Sequence, residues 1–227
     1  MELLNQTVLI TGAAGRIGSA IASKVINEGG TVLLTDINNE KLIHLKNKLL
    51  IENKEKVHLF VADIATSTGI EKLLDECLTK VDRIDSAIHS AYPKSPSWGS
   101  KFEDLTQSNL DKDLSLQLGV SIIFSQKIMQ HFVEQNKGNL IHISSIFGIH
   151  APKFHHYEGT KMTSPIEYAA IKSGIISITR WLAKYYKNQN IRVNCISPGG
   201  ILENQPSSFI KKYRESCTNI GMLNATD

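Results

Sequence analysis

The sequence has few cysteines, and their spacing excludes two kinds of stabilised scaffold. Cys77, Cys195 and Cys217 are the three cysteines among 227 residues, and no two of them form a C-x-x-C pair. Such an odd, scattered set provides neither a disulfide framework nor a cysteine zinc site, so we expect a reduced, cytoplasmic protein. No basic segment precedes the first apolar run, which is too short for a secretory signal or a membrane span.

An excess of charge of one sign is also missing. Lysine and arginine number 25, and aspartate and glutamate number 22, which leaves a formal net charge of +3. This charge is too small to predict a nucleic-acid surface, so a small-molecule substrate is the expected partner. The histidines at residues 142–156 have no acidic or cysteine ligand at a suitable spacing, and we expect no metal ion.

What the sequence does have is an alternation of short apolar runs with longer segments of helical periodicity. The runs predict six strands: Thr7–Thr11, Thr31–Asp36, Val57–Val61, Ser86–His89, Asn139–Ile143 and Ile191–Ile196. Repeated βα units predict an α/β fold, a doubly wound Rossmann-type parallel sheet with helices on both faces and ligands at the carboxyl ends of its strands. No linker interrupts the pattern, so residues 1–227 are expected to form a single dinucleotide-binding domain.

Three of the intervening helices have specific signals. The stretch Thr68-Gly-Ile-Glu71 is typical of a capping box that opens a helix, and a longer helix is expected over Leu110–Val133. Tyr168–Lys187 contains no proline and a single glycine, which predicts an unbroken helix.

A glycine-rich turn joins the first strand to the helix that follows. Within Thr11-Gly-Ala-Ala-Gly-Arg-Ile-Gly18, the glycines let backbone N–H groups approach a pyrophosphate at the positive end of the helix. Such a turn alone is weak support, because a tight strand–helix connection also needs glycine. The second strand ends in Asp36, whose carboxylate can accept from an adenosine ribose hydroxyl or can simply cap the next helix.

Asp36 also bears on the choice of cofactor. A carboxylate at this position repels the 2′-phosphate of NADP, and no lysine or arginine occurs at positions 37–40 to neutralise that phosphate. NAD is therefore the expected cofactor, and NADP is the less favoured alternative. Arg16 lies within the glycine turn, where it either reaches a phosphate or remains a solvated side chain.

The fifth strand and the long helix after it supply a proton-transfer pair. Tyr168 and Lys172 are four residues apart and so share one face of the predicted helix. A cation beside a phenol favours the phenolate, which is expected to move the pKa of Tyr168 toward neutrality. Ser145 follows the fifth strand and can hold a substrate oxygen.

Taken in order along nearly the whole chain, these elements resemble the short-chain dehydrogenase/reductase family. The resemblance implies an NAD(P)-dependent oxidoreductase with Tyr168 as acid and base, Lys172 on the nicotinamide ribose, and Ser145 as donor to the substrate oxygen. The positions implied to bind the cofactor are Gly12, Gly15, Arg16, Ile17, Gly18, Asp36, Asp63, Ile64, Lys172, Pro198 and Gly199. In this family the helix of Tyr168 commonly packs against its copy, so a homodimer or homotetramer is expected.

A second Tyr-x-x-x-Lys, from Tyr157 to Lys161, competes for the catalytic role. A glycine inside this stretch and a proline just after it would break a helix that carried the pair, whereas Tyr168 opens an uninterrupted helix. We therefore assign the chemistry to Tyr168. Residues 150–165 are interpreted as an inserted substrate loop, in which Tyr157 contacts the substrate.

The sequence departs from the family pattern at four places. Arg16 replaces the middle glycine of the turn, Tyr92 ends a His-Ser-Ala-Tyr stretch where Asn-Asn-Ala-Gly is usual, and Gln117 replaces a catalytic asparagine. Because Gln117 keeps an amide, it stays among the catalytic candidates. The chain reaches Asp227 before the usual last strand, so the sixth strand is expected at an edge of the sheet.

The inserted loop and the Gly200-Ile-Leu-Glu-Asn stretch are similar to a bacterial branch of the family that is associated with flagellin modification and surface-sugar biosynthesis. This similarity implies that the reacting hydroxyl or keto group belongs to an activated or phosphorylated sugar. The loop side chains Lys153, His155, His156 and Lys161 are expected to meet an anion of such a substrate. A non-catalytic dinucleotide or sugar-nucleotide binding protein on the same fold is the alternative.

Overall fold

One parallel sheet of six strands forms the centre of the computed structural model, which describes residues 1–49 and 54–227. The strands are β1 (Thr7–Thr11), β2 (Thr31–Asp36), β3 (Val57–Val61), β4 (Ser86–His89), β5 (Gly138–Ile143) and β6 (Ile191–Ile196). They lie in the order β3-β2-β1-β4-β5-β6, and every neighbouring pair is parallel. The predicted doubly wound, Rossmann-type sheet is confirmed, with its switch point between β1 and β4.

Helices cover both faces of this sheet. The α-helices of the described residues are α1 (Arg16–Asn27), α2 (Asn39–Leu49), α3 (Ser67–Leu78), α4 (Gln107–Asp113), α5 (Val120–Glu134), α6 (Ile166–Tyr185) and α7 (Ser207–Glu215). Side chains of α1 and α2 build the hydrophobic core on one face, and side chains of α3, α5 and α6 build the core on the other. A π-helix from Leu114 to Gly119 joins α4 to α5.

The strands are apolar because the crossover helices bury them on both sides. In β1, Val8 and Ile10 point into the core with α1 and α2, while Leu9 points into the core with α3 and α5. Successive side chains of a strand alternate between faces, so each strand contributes to both layers. Phe124 and Phe132 of α5 are fully buried, and each such side chain contributes about 1.5–3 kcal/mol through removal from water.

Two details of the predicted helices are wrong. The N-cap of α3 is Thr66 and not Thr68, because the Thr66 hydroxyl accepts a hydrogen bond from the Gly69 N–H at 3.1 Å. The stretch expected as one helix over Leu110–Val133 is divided by the π-helix into α4 and α5. The helix that carries Tyr168 is unbroken as predicted, and it begins two residues earlier, at Ile166.

The chain after β6 does not add a strand to the sheet. β6 lies at the edge, next to β5, as the sequence predicted. The segment that follows contains α7 and folds back so that Ile201 and Leu223 form an isolated bridge. Among residues 1–49 and 54–227, none of the helices combines the length and the apolar character that a membrane crossing requires.

Candidate active site and dinucleotide cleft

A cleft of about 770 Å³ opens at the carboxyl ends of the strands and includes the residues that follow β1 and β4. Most of the predicted site residues line it: Gly12, Gly15, Arg16, Ile17, Asp36, Asp63, Ile64, Ser145, Tyr157, Tyr168, Lys172, Pro198 and Gly199. Gly18 and Gln117 are not lining residues. The residues around the glycine turn, with Asp36, Asp63 and Ile64, form the nucleotide end of the cleft. Ser145, Tyr168 and Lys172 form its catalytic end, so both ends share one cavity.

The glycine turn brings backbone very close to backbone. Gly12 has a φ of +63°, and a Cβ on it would lie 2.6 Å from the Cα of Ala91. A Cβ on Gly18 would lie 2.4 Å from the carbonyl oxygen of Gly12, so a larger residue at position 18 would distort the glycine turn although Gly18 does not line the cleft. No side chain caps α1, so its first N–H groups remain available to an anion such as a pyrophosphate.

Asp36 is held at the end of β2 by two backbone donors. The Ala14 N–H donates to Oδ2 at 3.2 Å, and the Asn38 N–H donates to Oδ1 at 3.0 Å. The side chain that caps the next helix belongs to Asn38, whose Oδ1 accepts from the Lys41 N–H at 2.9 Å. Asp36 is therefore not the N-cap of α2, and its carboxylate faces the cleft.

Lys41 also lines the nucleotide end of the cleft. It lies one position beyond residues 37–40, which contain no lysine or arginine. Helix α2 begins at Asn39, and this places Lys41 in its first turn, near the end of β2. A cation is thus present at this end of the cleft together with Asp36.

Asp63 and Ile64 form the next part of the nucleotide end. They follow β3, and the Asp63 Oδ1 accepts from the Ala65 N–H at 2.9 Å, which fixes the turn. Ile64 is buried and belongs to the core while it also lines the cleft. This pair can contact an adenine through one polar and one apolar side chain.

Arg16 is bonded across the cleft, a contact that the sequence did not predict. Its Nη1 donates to the carbonyl oxygen of Leu202, and its Nη2 forms an ion pair with Glu203 at 2.5 Å. Leu202 and Glu203 follow Gly199 on the far side of the cleft, so Arg16 connects the glycine turn to that side. No sequence pattern indicates this contact, because Arg16 and Leu202 are 186 residues apart.

Lys172 is buried beneath the catalytic end of the cleft. Its Nζ donates to the carbonyl oxygen of Ile143 at 2.9 Å, and burial lowers the pKa of the Lys172 ammonium to about 8. The Ser144 hydroxyl donates to the Lys172 carbonyl at 2.8 Å. These bonds join the end of β5 to α6 and fix the position of the ammonium group.

Tyr168 shares this end of the cleft with Ser145. The Lys172 Nζ lies 5.6 Å from the centroid of the Tyr168 ring. Burial raises the pKa of the Tyr168 phenol, and the nearby Ser145 hydroxyl acts in the opposite direction. The pKa of Tyr168 is therefore shifted upward and not downward in the protein alone, because loss of hydration outweighs the hydrogen bond with Ser145.

Aromatic rings surround Tyr168 on several sides. The rings of Tyr92, Trp98 and Phe147 meet the Tyr168 ring edge to face, with centroids 5.8, 6.1 and 6.4 Å away. Tyr92 also lies between two ammonium groups, since the Nζ atoms of Lys94 and Lys172 are 5.0 and 5.2 Å from its centroid. In the sequence, Tyr92 stands out only as a departure from the family pattern. Trp98 and Phe147 belong to no spaced motif and so could not be predicted as site residues.

Gln117 lies in the π-helix beside the site. It is buried, and neither oxygen nor nitrogen of its side-chain amide has a hydrogen-bond partner among the described residues. Its backbone carbonyl oxygen accepts a hydrogen bond from the Ser121 hydroxyl at 2.7 Å. A buried amide of this kind commonly binds an ordered water, and π-helical turns are frequent at functional sites.

The inserted loop packs on α7. The ring centroids of Tyr157 and Phe209 are 5.1 Å apart, and the His156 Nε2 is 2.7 Å from the Ser216 hydroxyl. Tyr157 and Met162 line the cleft. The expectation that Lys153, His155, His156 and Lys161 meet a substrate anion is not supported, because none of these four lines the cleft. Lys94, which follows β4, is a lining cation at the catalytic end.

Pro198 and Gly199 are fixed between β5 and α7. The Pro198 carbonyl accepts from the Ile146 N–H at 3.0 Å. The neighbouring Gly200 N–H donates to the Tyr213 hydroxyl at 2.8 Å. The two residues therefore form a rigid part of the cleft wall next to Ser145.

Two buried histidines lie on β4 and β5 below the cleft. His89 is 2.9 Å from the Thr11 hydroxyl, and His142 is 2.9 Å from both the Ser125 and the Thr179 hydroxyls. Burial lowers the pKa of His89 to about 3 and that of His142 to about 4, so both are neutral core groups. In the described part of the chain, no three histidine, cysteine or acidic side chains form a metal-binding group.

Comparisons with known proteins agree with this geometry. A family model described as short chain dehydrogenase matches residues 6–211. The chain is 39% identical to the post-translational flagellin modification protein A of Campylobacter coli over 226 residues, which are 99% of this chain and 88% of the relative. It is 27% identical to a protein of Rhizobium meliloti named probable galactose dehydrogenase, over 88% of this chain and 73% of the relative.

A solved structure has the same fold. The short chain dehydrogenase from Leptospira borgpetersenii with bound NAD+ superimposes with a TM-score of 0.85 at 29% sequence identity. The match covers 99% of this chain and 83% of that structure. The likeness therefore includes both the nucleotide end and the catalytic end of the cleft.

Proposed function

The chain belongs to the short-chain dehydrogenase/reductase family of oxidoreductases, and from this premise we propose that it transfers hydride between NAD and a hydroxyl or keto group of a sugar, with Ser145, Tyr168 and Lys172 acting on the substrate oxygen and its proton. The observation that carries the proposal is the single cleft in which these three side chains follow a glycine turn and Asp36. The backbone approach at Gly12 fits a dinucleotide, since a Cβ there would fill the space next to Ala91.

Each catalytic side chain has one task. Bound nicotinamide would supply hydride to a keto carbon or accept it from the corresponding alcohol carbon. In reduction, the Tyr168 hydroxyl gives its proton to the substrate oxygen and becomes a phenolate, while the Ser145 hydroxyl donates a hydrogen bond to that oxygen. The Lys172 ammonium stabilises the phenolate and would bind the nicotinamide ribose. Oxidation reverses every step.

Gln117 has a supporting role in this proposal. Its side-chain amide is buried and unpartnered among the described residues, and the π-helix that carries it packs against α6, the helix of Lys172. An ordered water held by this amide would give Lys172 a path for proton exchange with solvent. Gln117 thus takes the place of the usual asparagine with a side chain one methylene longer.

NAD is favoured over NADP because two backbone hydrogen bonds hold the Asp36 carboxylate at the nucleotide end of the cleft, where it would repel a 2′-phosphate. We expect NADH to bind more tightly than NADPH, although Lys41 reduces the difference. Fluorescence titrations with both cofactors measure the gap, and Asp36→Ala should narrow it by removing the repulsion of the 2′-phosphate. Lys41→Met should widen it. Equal affinities in the unmodified protein would contradict the assignment.

The walls of the catalytic end favour a carbohydrate substrate. Aromatic side chains dominate there, and faces of this kind pack against the C–H faces of sugars: Tyr92, Phe147, Tyr157, Tyr168, Phe209 and Tyr213 line the cleft. Lys94 adds one positive charge, which suits a phosphorylated or nucleotide-activated sugar. The name of the Rhizobium relative, probable galactose dehydrogenase, supports a carbohydrate substrate.

Turnover of defined sugars tests the proposal. The protein is mixed with NAD and with matched panels of free hexoses, hexose phosphates and nucleoside-diphosphate hexoses, and NADH fluorescence is followed. Hydride transfer to NAD that is lost in Ser145→Ala and Tyr168→Phe supports the enzyme. Tight NADH binding with no transfer in any panel would favour the non-catalytic binding protein instead.

Self-association is proposed from one exposed patch on α6. The Trp181 and Tyr185 rings stack 4.8 Å apart, and 61% and 66% of their surfaces are exposed. Large stacked apolar side chains of this kind commonly mark a protein contact. Sedimentation measurements should show a dimer or tetramer that Trp181→Glu dissociates.

A further inference from the structure

We propose that Arg16 and Glu203 form a clamp that fastens a lid, residues 200–223, to the glycine turn across the dinucleotide cleft. Arg16 is the first residue of α1, and Glu203 belongs to the segment between β6 and α7. Both line the cleft. The inference rests on the proposed dinucleotide site and assigns to these residues control over how fast the cofactor leaves.

The guanidinium group makes two bonds to the lid. Its Nη2 is 2.5 Å from a Glu203 carboxylate oxygen, and its Nη1 donates to the Leu202 carbonyl oxygen. The two acceptors are successive residues, so the planar guanidinium group holds both a side chain and the backbone of the lid. No other arginine of the described residues connects the two sides of the cleft in this way.

The lid is a folded unit, so a bond to Glu203 restrains the lid as a whole. The Leu202 N–H donates to the Leu223 carbonyl at 2.7 Å, and the Leu223 N–H donates to the Gly200 carbonyl at 2.8 Å. Phe209, Tyr213 and Met222 of the lid form a small core, against which Tyr157 and Met162 of the inserted loop pack. The clamp therefore holds the whole lid rather than a single strand of chain.

Charge explains why an arginine is needed at this point. A bound pyrophosphate and the Glu203 carboxylate would repel each other in the same cleft unless a cation lay between them. Arginine has five N–H donors, and the lid uses the Nη1 and Nη2 groups, which leaves donors that can face a phosphate oxygen. Arg16 can thus keep the clamp and meet the cofactor at the same time.

The clamp is exposed enough to open. The Arg16 and Glu203 side chains are 36% and 60% exposed. Because exposed ion pairs are weak, breaking this one should change the rate of cofactor release only a few-fold. We expect Glu203→Gln to release NADH about two- to five-fold faster at low salt. Arg16→Gln should release it at least as fast, since that change also removes a cation from the cleft.

A double-mutant cycle on NADH release tests the clamp. NADH is displaced by excess NAD in a stopped-flow fluorimeter for the unmodified protein, Glu203→Gln, Arg16→Gln and the double variant. The clamp predicts that the double variant releases NADH no faster than Arg16→Gln does, because each single change already breaks the same Arg16–Glu203 contact. Glu71→Gln is the matched control: Glu71 of α3 pairs with Lys127 of α5 at 2.6 Å, away from both the glycine turn and the lid, and its loss should not change release.

Opposite results would overturn the inference in recognisable ways. Slower release in Glu203→Gln would mean that Glu203 competes with the pyrophosphate for Arg16, and additive effects would mean that the two residues act separately. Hydrogen exchange of the lid amides without cofactor is the second readout, and it should quicken in Glu203→Gln and Arg16→Gln but not in Glu71→Gln. Failure of the unmodified protein to bind NADH would contradict the proposed function, while lid exchange would still decide the clamp.

Discussion

The chain carries the spacing Tyr-x-x-x-Lys twice, 11 residues apart, and the two copies have entirely different surroundings. Tyr168 and Lys172 lie in α6, where Lys172 is buried and bonded to the Ile143 carbonyl at 2.9 Å. Tyr157 and Lys161 lie in the inserted loop, and Lys161 is exposed. A motif of this kind therefore carries chemistry only where the backbone fixes both side chains in one geometry.

Local backbone explains the difference between the copies. Gly159 has a φ of +76° and Pro165 precedes α6, so no helix runs through the loop pair. Tyr157 instead packs its ring on Phe209 of α7. The loop copy is placed to contact a substrate, whereas the helix copy is placed to transfer a proton.

Removing the Tyr168 hydroxyl should have the largest effect. Tyr168→Phe keeps the ring and its aromatic neighbours but has no transferable proton, so kcat should fall by about 10² to 10⁴. NADH affinity and the thermal midpoint should stay near those of the unmodified protein. Single-turnover hydride transfer, followed by NADH fluorescence, measures the loss.

The comparison would be reversed by one specific result. Near-normal turnover in Tyr168→Phe together with an inactive Tyr157→Phe would place the active site in the inserted loop. Matched thermal midpoints for the two variants would exclude a folding defect as the cause.

Lys172→Met and Lys161→Met form the next contrast. Loss of the buried ammonium removes the cation that stabilises the Tyr168 phenolate, and the rate at neutral pH should fall by about 10² to 10³. Because the phenol pKa then rises, alcohol oxidation by Lys172→Met should recover as the pH is raised. Lys161→Met should change the rate less than two-fold, and an equal loss in both variants would contradict the distinction between them.

The pH profile of ketone reduction should identify the same lysine. Burial lowers the pKa of Lys172 to about 8, so its ammonium form predominates below that pH and is lost above it. Burial raises the pKa of Tyr168, which therefore keeps its proton over this range. Reduction should be constant below about pH 8 and should fall about tenfold per pH unit above it. The decline in rate above pH 8 should persist in Lys161→Met. A flat profile up to pH 10 in the unmodified protein would show that deprotonation of Lys172 does not control the reduction rate.

The sequence predicted what depends on local pattern, and it missed what depends on distant contact. Apolar runs located all six strands, because parallel strands are buried on both faces. The partner of Arg16 could not be found, since Glu203 reaches the glycine turn only after the whole sheet has formed. The raised pKa of Tyr168 was missed for the same reason: Tyr92 and Trp98, which help to bury it, belong to a different segment.

Tyr157→Phe should have the smallest effect, and it tests what the loop copy does contribute. The variant keeps the ring that packs 5.1 Å from Phe209, so the loop and α7 should remain in place. Only a hydroxyl at the cleft wall is lost, and a neutral hydrogen bond to substrate is worth about two- to ten-fold in affinity. We therefore expect KM for the substrate to rise by about that factor while kcat and NADH affinity stay unchanged. Tyr157→Ala, which also removes the ring, should raise KM further. A fall in kcat with KM unchanged would show that Tyr157 acts in the chemical step, because only contacts stronger in the transition state alter kcat in this way.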